Sequence, residues 1–268
     1  LFLDRVRGES GMTLEIIDRE TEAHLAAEGC GALMDKKADA AVLFDIGGGS
    51  SELILVNKRI KKKRLADQIV SWTSLPIGVV TLAERHGGQV VNKEIFRNMI
   101  NEVKGYLAKF EGRDELARLW KNGRVHLLGT SGTVTTLAGI HLKLPRYERR
   151  LVDGLWLNAK QIDVVVEDLL AMDYKQRANS PCIGSERADL VMAGCAILEA
   201  IRQTWPSDRL RVADRGLREG ILTQMMDRDS AWLAPKEGRR RRNWPPQSRN
   251  RNASNAQRKR GNDGNRHE

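Results

Sequence analysis

The sequence predicts an α/β protein, on the basis of its size, its apolar patterning and the order of its elements. Three short β-rich runs come first, at 40–46, 52–56 and 68–76, and helical and strand patterns then alternate as far as residue 226. This order is typical of helices packed on a sheet. The chain has 268 residues, of which 41% are hydrophobic, which is enough for a packed core in one large domain or two small ones.

The three leading β runs are predicted to form an antiparallel meander. Residues 40–46 and 52–56 are apolar runs of strand length, joined by a short turn that contains three glycines. Residues 68–76 follow a basic block, KRIKKKR at 58–64. We therefore expect this block at the tip of the second hairpin.

The remaining elements are predicted mainly from helical periodicity. Residues 92–110 place Ile95, Met99, Val103 and Leu107 on one face, after Asn92 as a suitable N-cap. Residues 1–11 resemble the end of a helix already under way, so we expect a fragment, or a chain that has lost its start. The other predictions are a helix at 78–87, a strand at 124–132, helices at 133–142, 158–172 and 185–205, a strand at 210–214 and a helix at 215–226.

The net charge of +10 is concentrated in two segments. Residues 236–268 carry +8 and the block 58–64 carries +6, so the rest of the chain has a net charge of −4. The tail, 229–268, is rich in Arg, Asn, Ser and Gly, and is predicted to be disordered because it cannot offset its ordering entropy by burial. It is either a solvated terminus or a segment that weakly attracts nucleic acid and other polyanions.

Composition also argues against several classes of protein. No run of about 18 uncharged apolar residues and no leader pattern is visible, so no membrane span and a soluble, cytoplasmic protein are expected. The three cysteines form no CxxC pair and are predicted to be reduced. The histidines lack paired ligand spacing, which argues against a zinc site.

A first candidate phosphate loop lies between the first two strands, in LFDIGGGSSELILV at 43–56. A strand follows the glycines, which argues against the strand–glycine–helix arrangement of P-loop and Rossmann turns. A hairpin needs one or two glycines at positive φ, whereas three let an anion approach several backbone N–H groups. The candidate ligands are Gly47, Gly48, Gly49, Ser50 and Ser51. An ordinary tight hairpin is the alternative.

A second candidate loop, LLGTSGTVTT at 127–136, repeats this logic at another strand end. A helix follows, so free N–H groups and a positive dipole end face the loop. The candidate ligands are Gly129, Thr130, Ser131, Gly132 and Thr133. The alternative is a well-capped helix start, but two such loops together favour a phosphate chain. We expect both loops to border one cleft.

Five blocks of the sequence resemble the exopolyphosphatase/guanosine pentaphosphate phosphohydrolase (Ppx/GppA) family. They are DIGGGSSEL, SLPIGVVTLAER, GTSGTVTTLA, RADLVMAGCAILEAI and DRGLREGIL, in the expected order, and the resemblance spans residues 1 to about 228. It implies the actin-like (ribonuclease H-like) fold of sugar kinases and Hsp70-type ATPases, with two domains around a cleft. Residues 1–30 would be a remnant of the first domain, whose own phosphate loop is not found here. Residues 31–228 would form the second domain.

The resemblance also implies a catalytic base and a metal ligand. Members of the family use a glutamate that matches Glu22, although Thr21 and His24 stand where glutamate and arginine are frequent. Glu20 is the second choice. Asp45 would hold a divalent cation such as Mg²⁺. By contrast, Arg187 and Asp189 are interpreted as a structural ion pair rather than as groups that reach the cleft.

Two classes of function follow. The resemblance implies hydrolysis of the terminal phosphoanhydride of polyphosphate or of pppGpp, which requires an aligned water, a carboxylate and groups that absorb developing charge. The alternative is a binding or regulatory module with an incomplete site and a tail that attracts nucleic acid. A homodimer is a further partner hypothesis.

Overall fold

The computed structural model describes residues 2–62 and 65–229, except the side chain of Asn122, and a six-stranded mixed sheet organises them. The strands are β1 (Ala40–Ile46), β2 (Ser51–Asn57), β3 (Ile69–Leu75), β4 (Val125–Thr130), β5 (Trp156–Asn158) and β6 (Arg209–Val212). Their order across the sheet is β3-β2-β1-β4-β6-β5. The predicted disordered tail at 229–268 lies outside the described residues, apart from Asp229.

Helices alternate with these strands along the chain. They are α1 (Phe2–Ser10), α2 (Arg19–Cys30), α3 (Val79–His86), α4 (Lys93–Leu107), α5 (Arg113–Asn122), α6 (Ser131–His141), α7 (Arg149–Val152), α8 (Ala159–Ala171), α9 (Tyr174–Ala178), α10 (Val191–Thr204) and α11 (Leu217–Arg228). Within the described ranges, no helix has the length and apolar composition needed to cross a bilayer.

The predicted meander is confirmed. β1 pairs with β2, and β2 with β3, in antiparallel register, and Lys58–Lys62 follow β2 before β3 begins. β4 and β6 continue the sheet parallel to β1. Because parallel strands end at the same edge of a sheet, the loops after β1, β4 and β6 meet there.

Hydrophobic cores cover both faces of the sheet. The larger core joins alternate residues of β1 and β2 to α4, α6, α8 and α10, whereas the smaller core places α2 against the other face, with Leu43 and Ile54 from the strands. Strands that are buried on both faces read as continuous apolar runs, as AAVLF and LILV do here. All three cysteines are buried and free, as predicted.

One helix was predicted with the wrong start and four were not predicted. The helix predicted at 185–205 begins at Val191, because residues 181–190 form turns before it. Helices α2, α5, α7 and α9 were not predicted, although Leu116 and Leu119 of α5 enter the core. By contrast, Asn92 caps α4 as predicted, accepting a hydrogen bond from the N–H of Ile95 at 2.8 Å.

Helix α2 packs closely on α11. A Cβ on Gly29 would lie 2.0 Å from the carbonyl oxygen of Gly216, and one on Gly220 would lie 1.9 Å from that of Leu25. Residues 19–30 therefore share a compact unit with the sheet, since residues 1–229 cluster together. The origin of residues 1–30 in a separate domain stays a prediction.

Candidate functional site

The first glycine loop is a tight turn between β1 and β2. Ile46 lies opposite Ser51, and the N–H of Gly47 donates to the carbonyl of Ser50 at 3.0 Å. The hairpin is therefore confirmed. The expectation of positive φ is wrong, because none of the three glycines takes it.

Instead, the loop is shaped by contact with the start of α3. The carbonyls of Gly47 and Gly48 each accept a hydrogen bond at 2.9 Å, from the N–H groups of Val79 and Val80 respectively. A Cβ on Gly78 would lie 2.4 Å from the carbonyl oxygen of Gly48. The turn thus caps α3 with its carbonyls, while the N–H groups of Gly48 and Gly49 have no acceptor among the described residues.

The two serines of this loop have different surroundings. Ser50 donates to Oε1 of Glu52 at 2.7 Å. Ser51 is fully buried and donates to the carbonyl of Ile77 at 2.7 Å, so its hydroxyl ties β2 to the segment before α3. In this structure, Ser51 contributes to the shape of the loop and its hydroxyl is not free for a phosphate oxygen.

In the second loop, Gly129 and Thr130 are also structural. A Cβ on Gly129 would lie 2.6 Å from the ring of Phe44 and 2.7 Å from Val134, so a glycine is needed there for core packing. Thr130 is buried and its hydroxyl donates to the carbonyl of Arg215 at 2.6 Å. These two residues connect β4 to neighbouring elements and do not present free hydroxyl or N–H groups to a cleft.

Ser131 is the conformationally unusual residue of the site. It begins α6 with a φ of +78°, which is uncommon for a residue with a Cβ and is typical of functional turns. Its hydroxyl donates to the carbonyl of Ile46 at 3.2 Å, and its side chain lies near enough to Asp45 to lower the pKa of that carboxyl, against the effect of burial. Ser131 therefore connects the two loops directly.

Both loops border one cavity of about 200 Å³, as the sequence analysis expected. The residues that matter for a phosphate ligand are Gly47, Gly48, Ser131, Gly132, Thr133 and Arg187. The first turn of α6 opens into this cavity, so its N–H groups and dipole favour an anion there.

Arg187 supplies the positive charge of the cavity. It is exposed, its Nη1 lies 3.4 Å from Oγ1 of Thr136, and no carboxylate forms an ion pair with it among the described residues. The predicted ion pair with Asp189 is therefore wrong. Residues 181–190 form turns that place Arg187 at the cavity, whereas the sequence predicted a helix from residue 185 onwards.

Carboxylates line up beside the loops, on the α2 face of the sheet. Asp45 lies opposite Glu52, which lies opposite Ser74, and Glu52 accepts a hydrogen bond from the Ser74 hydroxyl at 2.9 Å. Burial raises the pKa of Asp45 to about 6, and the charges of Glu52 and Glu22 act in the same direction. Glu52, 8% exposed, was missed, although its position two residues after the loop, in register with Asp45, was a usable signal.

Glu22 lies in the exposed first turn of α2, which Asp18 caps by accepting from the N–H of Thr21 at 2.7 Å. The charge of Glu22 is one of those that raise the pKa of Asp45, whereas that of Glu20 is not. Glu22 therefore lies close enough to Asp45 for its charge to act on it. The role of Glu22 as catalytic base, with Glu20 as the second choice, stays a prediction.

The donor chemistry at Asp45 fits a hard divalent cation. Asp45, Glu52 and Glu22 offer only carboxylate oxygens, and their mutual repulsion is the kind of charge that such an ion offsets. No group of three metal-ligating side chains is preformed within residues 2–62 and 65–229. Mg²⁺ commonly binds through one or two carboxylates, with water and phosphate oxygens completing its shell, so this arrangement suits it.

Known proteins resemble this chain in sequence. Exopolyphosphatase 2 of Mycobacterium tuberculosis is 26% identical over 223 residues, which cover 80% of this chain and 65% of that protein. Guanosine-5'-triphosphate,3'-diphosphate pyrophosphatase of Aeromonas hydrophila is 27% identical over 82% of this chain and 40% of its own length. The chain thus spans less than two thirds of the length of these curated relatives.

Solved structures resemble it in fold. The crystal structure of the Aquifex aeolicus Ppx/GppA family member aligns with a TM-score of 0.68 and 25% identity, over 85% of this chain and 69% of that one. An exopolyphosphatase from Cytophaga hutchinsonii gives a TM-score of 0.70 at 24% identity, over 84% and 69%. These neighbours have the actin-like ATPase fold, which is therefore the fold of this chain. The model of one protein family matches residues 1–229, and the chain accordingly belongs to the Ppx/GppA phosphatase family.

Proposed function

We propose that this chain provides the catalytic groups for hydrolysis of a terminal phosphoanhydride, in inorganic polyphosphate or in a guanosine pentaphosphate. The observation that carries the proposal is the cavity shared by the two glycine loops and Arg187, together with the carboxylates of Asp45 and Glu52, which flank the first of these loops in the sequence. Phosphoryl transfer depends mainly on positioning and on charge stabilisation, and this cavity offers groups for both.

Backbone N–H groups, the Arg187 side chain and a bound Mg²⁺ would bind the terminal phosphates. The N–H groups of Gly48 and Gly49, which have no acceptor in the described part of the chain, and the first-turn N–H groups of α6 can donate to phosphate oxygens. Arg187 can add a charge-assisted hydrogen bond. Asp45 and Glu52 would hold Mg²⁺, which when bound would offset the negative charge of substrate and carboxylates. The fixed turn at Ser131 keeps the two loops together.

Glu22 is the group that would orient and deprotonate the attacking water. Its side chain is exposed in the first turn of α2 and its charge acts on Asp45. No cation pairs with it among the described residues. A carboxylate in this position can accept a proton from water as the bond to the leaving phosphate breaks. The proton would then pass from Glu22 to solvent.

The relatives point to two substrates, one named for polyphosphate and the other for a guanosine polyphosphate. Both end in a phosphoanhydride and would use the same loops, so the choice between them depends on groups beyond the terminal phosphate. A cytoplasmic location, a homodimer and a weak contact between the tail and nucleic acid stay predictions.

The test is single-turnover phosphate release with Mg²⁺ from polyphosphate and from guanosine pentaphosphate, using wild-type chain, Glu22→Gln and Glu20→Gln. Glu22→Gln should slow release by about 10²–10⁴-fold with little change in affinity, because the amide cannot accept the proton. Glu20→Gln is the matched control and should differ little from wild type. Equal rates for all three proteins would remove Glu22 from the mechanism, and tight binding without any release would favour a binding module.

A further inference from the structure

A cluster of cations occupies the end of the sheet opposite the glycine loops. We call it the basic sheet end. It consists of Lys36, Lys37, Lys58, Arg59, Lys61, Lys62, Arg124 and Arg209, and all of these except half-buried Lys58 are exposed. They come from the segments before β1 and β4, from the first residue of β6 and from the segment after β2, which meet at the amino ends of the parallel strands.

Two aspartates hold these segments together. The Nζ of Lys58 donates to the backbone carbonyl of Asp35 at 2.8 Å, and Arg209 pairs with the Asp35 carboxylate at 2.5 Å. Oδ2 of Asp39 lies 3.6 Å from Nη2 of Arg59 and 3.8 Å from Nε of Arg124. The cations thus form one surface that three loops contribute to, rather than isolated side chains.

The surface carries an excess of positive charge. The carboxylates of Asp35 and Asp39 pair with its three arginines, whereas Lys36, Lys37, Lys61 and Lys62 have no ion-pair partner among the described residues. The opposite end of the sheet holds the carboxylates of Asp45, Glu52 and Glu22. A single exposed lysine contributes little, but a cluster of this density attracts multivalent anions.

We propose that the basic sheet end is a second binding site, for the distal part of a long polyphosphate chain whose terminal phosphate lies between the glycine loops. This inference rests on the proposed function. The seven residues of β1 separate the two ends by about 20 Å at ~3.3 Å per residue, a distance that a long linear polyanion can follow. A guanosine pentaphosphate is too short to contact both ends.

The aromatic residue of this surface favours polyphosphate over RNA. The guanidinium carbons of Arg209 and Arg211 lie 4.7 and 4.8 Å from the centre of the Trp156 ring, so this ring is already engaged in two cation–π contacts. Recognition of single-stranded RNA usually adds stacking of bases on aromatic rings to the electrostatic attraction. Among the residues that the structure describes, this surface offers charge and its Trp156 ring is not free for stacking, which suits a ligand that consists of phosphate alone.

The experiment measures binding of end-labelled long polyphosphate, tripolyphosphate and a single-stranded RNA of matched charge, by fluorescence anisotropy over a range of salt. The test protein carries Lys36→Gln, Lys61→Gln and Lys62→Gln. The control carries Lys93→Gln, Lys160→Gln and Lys175→Gln, three exposed lysines on α4, α8 and α9. Counterion release predicts that the test protein binds long polyphosphate at least about tenfold more weakly, with a log–log salt slope smaller by about 2.

Tripolyphosphate, which cannot span the sheet, should bind the wild-type, test and control proteins alike. Equal affinity of the test and control proteins for long polyphosphate would overturn the proposal, and so would a larger loss for RNA than for polyphosphate. Binding is measured without turnover, so the two proposals fail separately. If the chain released no phosphate but bound polyphosphate through these lysines, the second site would stand and the proposed hydrolysis would not.

Discussion

At the scale of single residues, Asp45 joins the parts of the site. It ends β1 just before the glycine loop, contacts Ser131 of the second loop, and lies in register with Glu52. A half-buried carboxyl with two carboxylates nearby is costly to ionise, and such costs are typical of functional sites. The ionised form of Asp45 therefore lowers the stability of the fold in the absence of a ligand.

The pH dependence of stability tests this cost. The pKa of Asp45 in the folded chain is about 6, above its ordinary value of 3.8, so the folded state binds the proton more tightly than the unfolded state. The free energy by which ionised Asp45 destabilises the folded state is therefore absent below pH 4, grows between pH 4 and pH 6, and is constant above pH 6. In a chelating buffer, Asp45→Asn should raise the free energy of unfolding by about 1–3 kcal/mol at pH 7.5 and by almost nothing at pH 4.

Urea unfolding at both pH values measures this difference. Asp168→Asn, at an exposed position of α8, is the matched control and should change the stability little at either pH. A variant at Asp45 that is less stable than wild type at pH 7.5 would contradict the electrostatic account.

Arg187 carries the second prediction at this scale. Arg187→Met keeps much of the length of the side chain and removes its charge-assisted hydrogen bonds, which are worth about 1.5–3 kcal/mol each. Calorimetric titration with tripolyphosphate should therefore give an affinity lower by about 10–100-fold. Arg97→Met, on the exposed face of α4, is the control. Equal affinities for the two variants would exclude Arg187 from the phosphate site.

At the scale of elements, the crossing of α2 and α11 brings Glu22 towards the sheet. The helices approach closely because Gly29 and Gly220 present backbone to backbone. The sequence predicted α11 at 215–226 but not α2. It also could not predict their contact, because a glycine within a helix is compatible with an exposed face. The same limit applies to Gly129, which was assigned to phosphate and in fact accommodates Phe44.

Substitution at the crossing tests its role. Gly29→Ala or Gly220→Ala would place a methyl carbon about 2 Å from a carbonyl oxygen, so each should destabilise the fold by about 1–3 kcal/mol or more, through overpacking. Gly105→Ala is the control, because a Cβ at this exposed position of α4 meets nothing within 4 Å. It should stabilise the fold by about 0.5–1 kcal/mol through helix propensity. Thermal unfolding distinguishes the expected destabilisation from the expected stabilisation. A Gly220→Ala variant as stable as wild type would mean that the helices do not approach so closely.

At the scale of the whole molecule, the sequence was sufficient for the sheet and for the general position of the site. The strands of the meander, the two glycine loops and their common cavity follow from apolar runs and from the rule that parallel strands end together. The individual ligands were harder to predict, because contacts distant in sequence determine which groups remain free. Ser51 and Thr130 use their hydroxyls to bind neighbouring carbonyls, and Arg187 reaches the cavity only because a turn interrupts the expected helix.

The central claim is that both glycine loops bind one phosphate chain. Its most direct test is the affinity for tripolyphosphate of wild type, Gly48→Val, Gly132→Val and the double variant, measured by calorimetry. Both positions can accept a Cβ, since the nearest atoms would lie 3.5 Å away at Val80 and 3.7 Å away at Arg187, so the fold should persist.

Each single variant should weaken binding by at least about tenfold, because a branched side chain would occupy the phosphate position. The double variant should be weaker by less than the product of the two single effects, since groups that contact one ligand are coupled. Unchanged affinity in either single variant, or effects that multiply independently, would contradict a shared phosphate site.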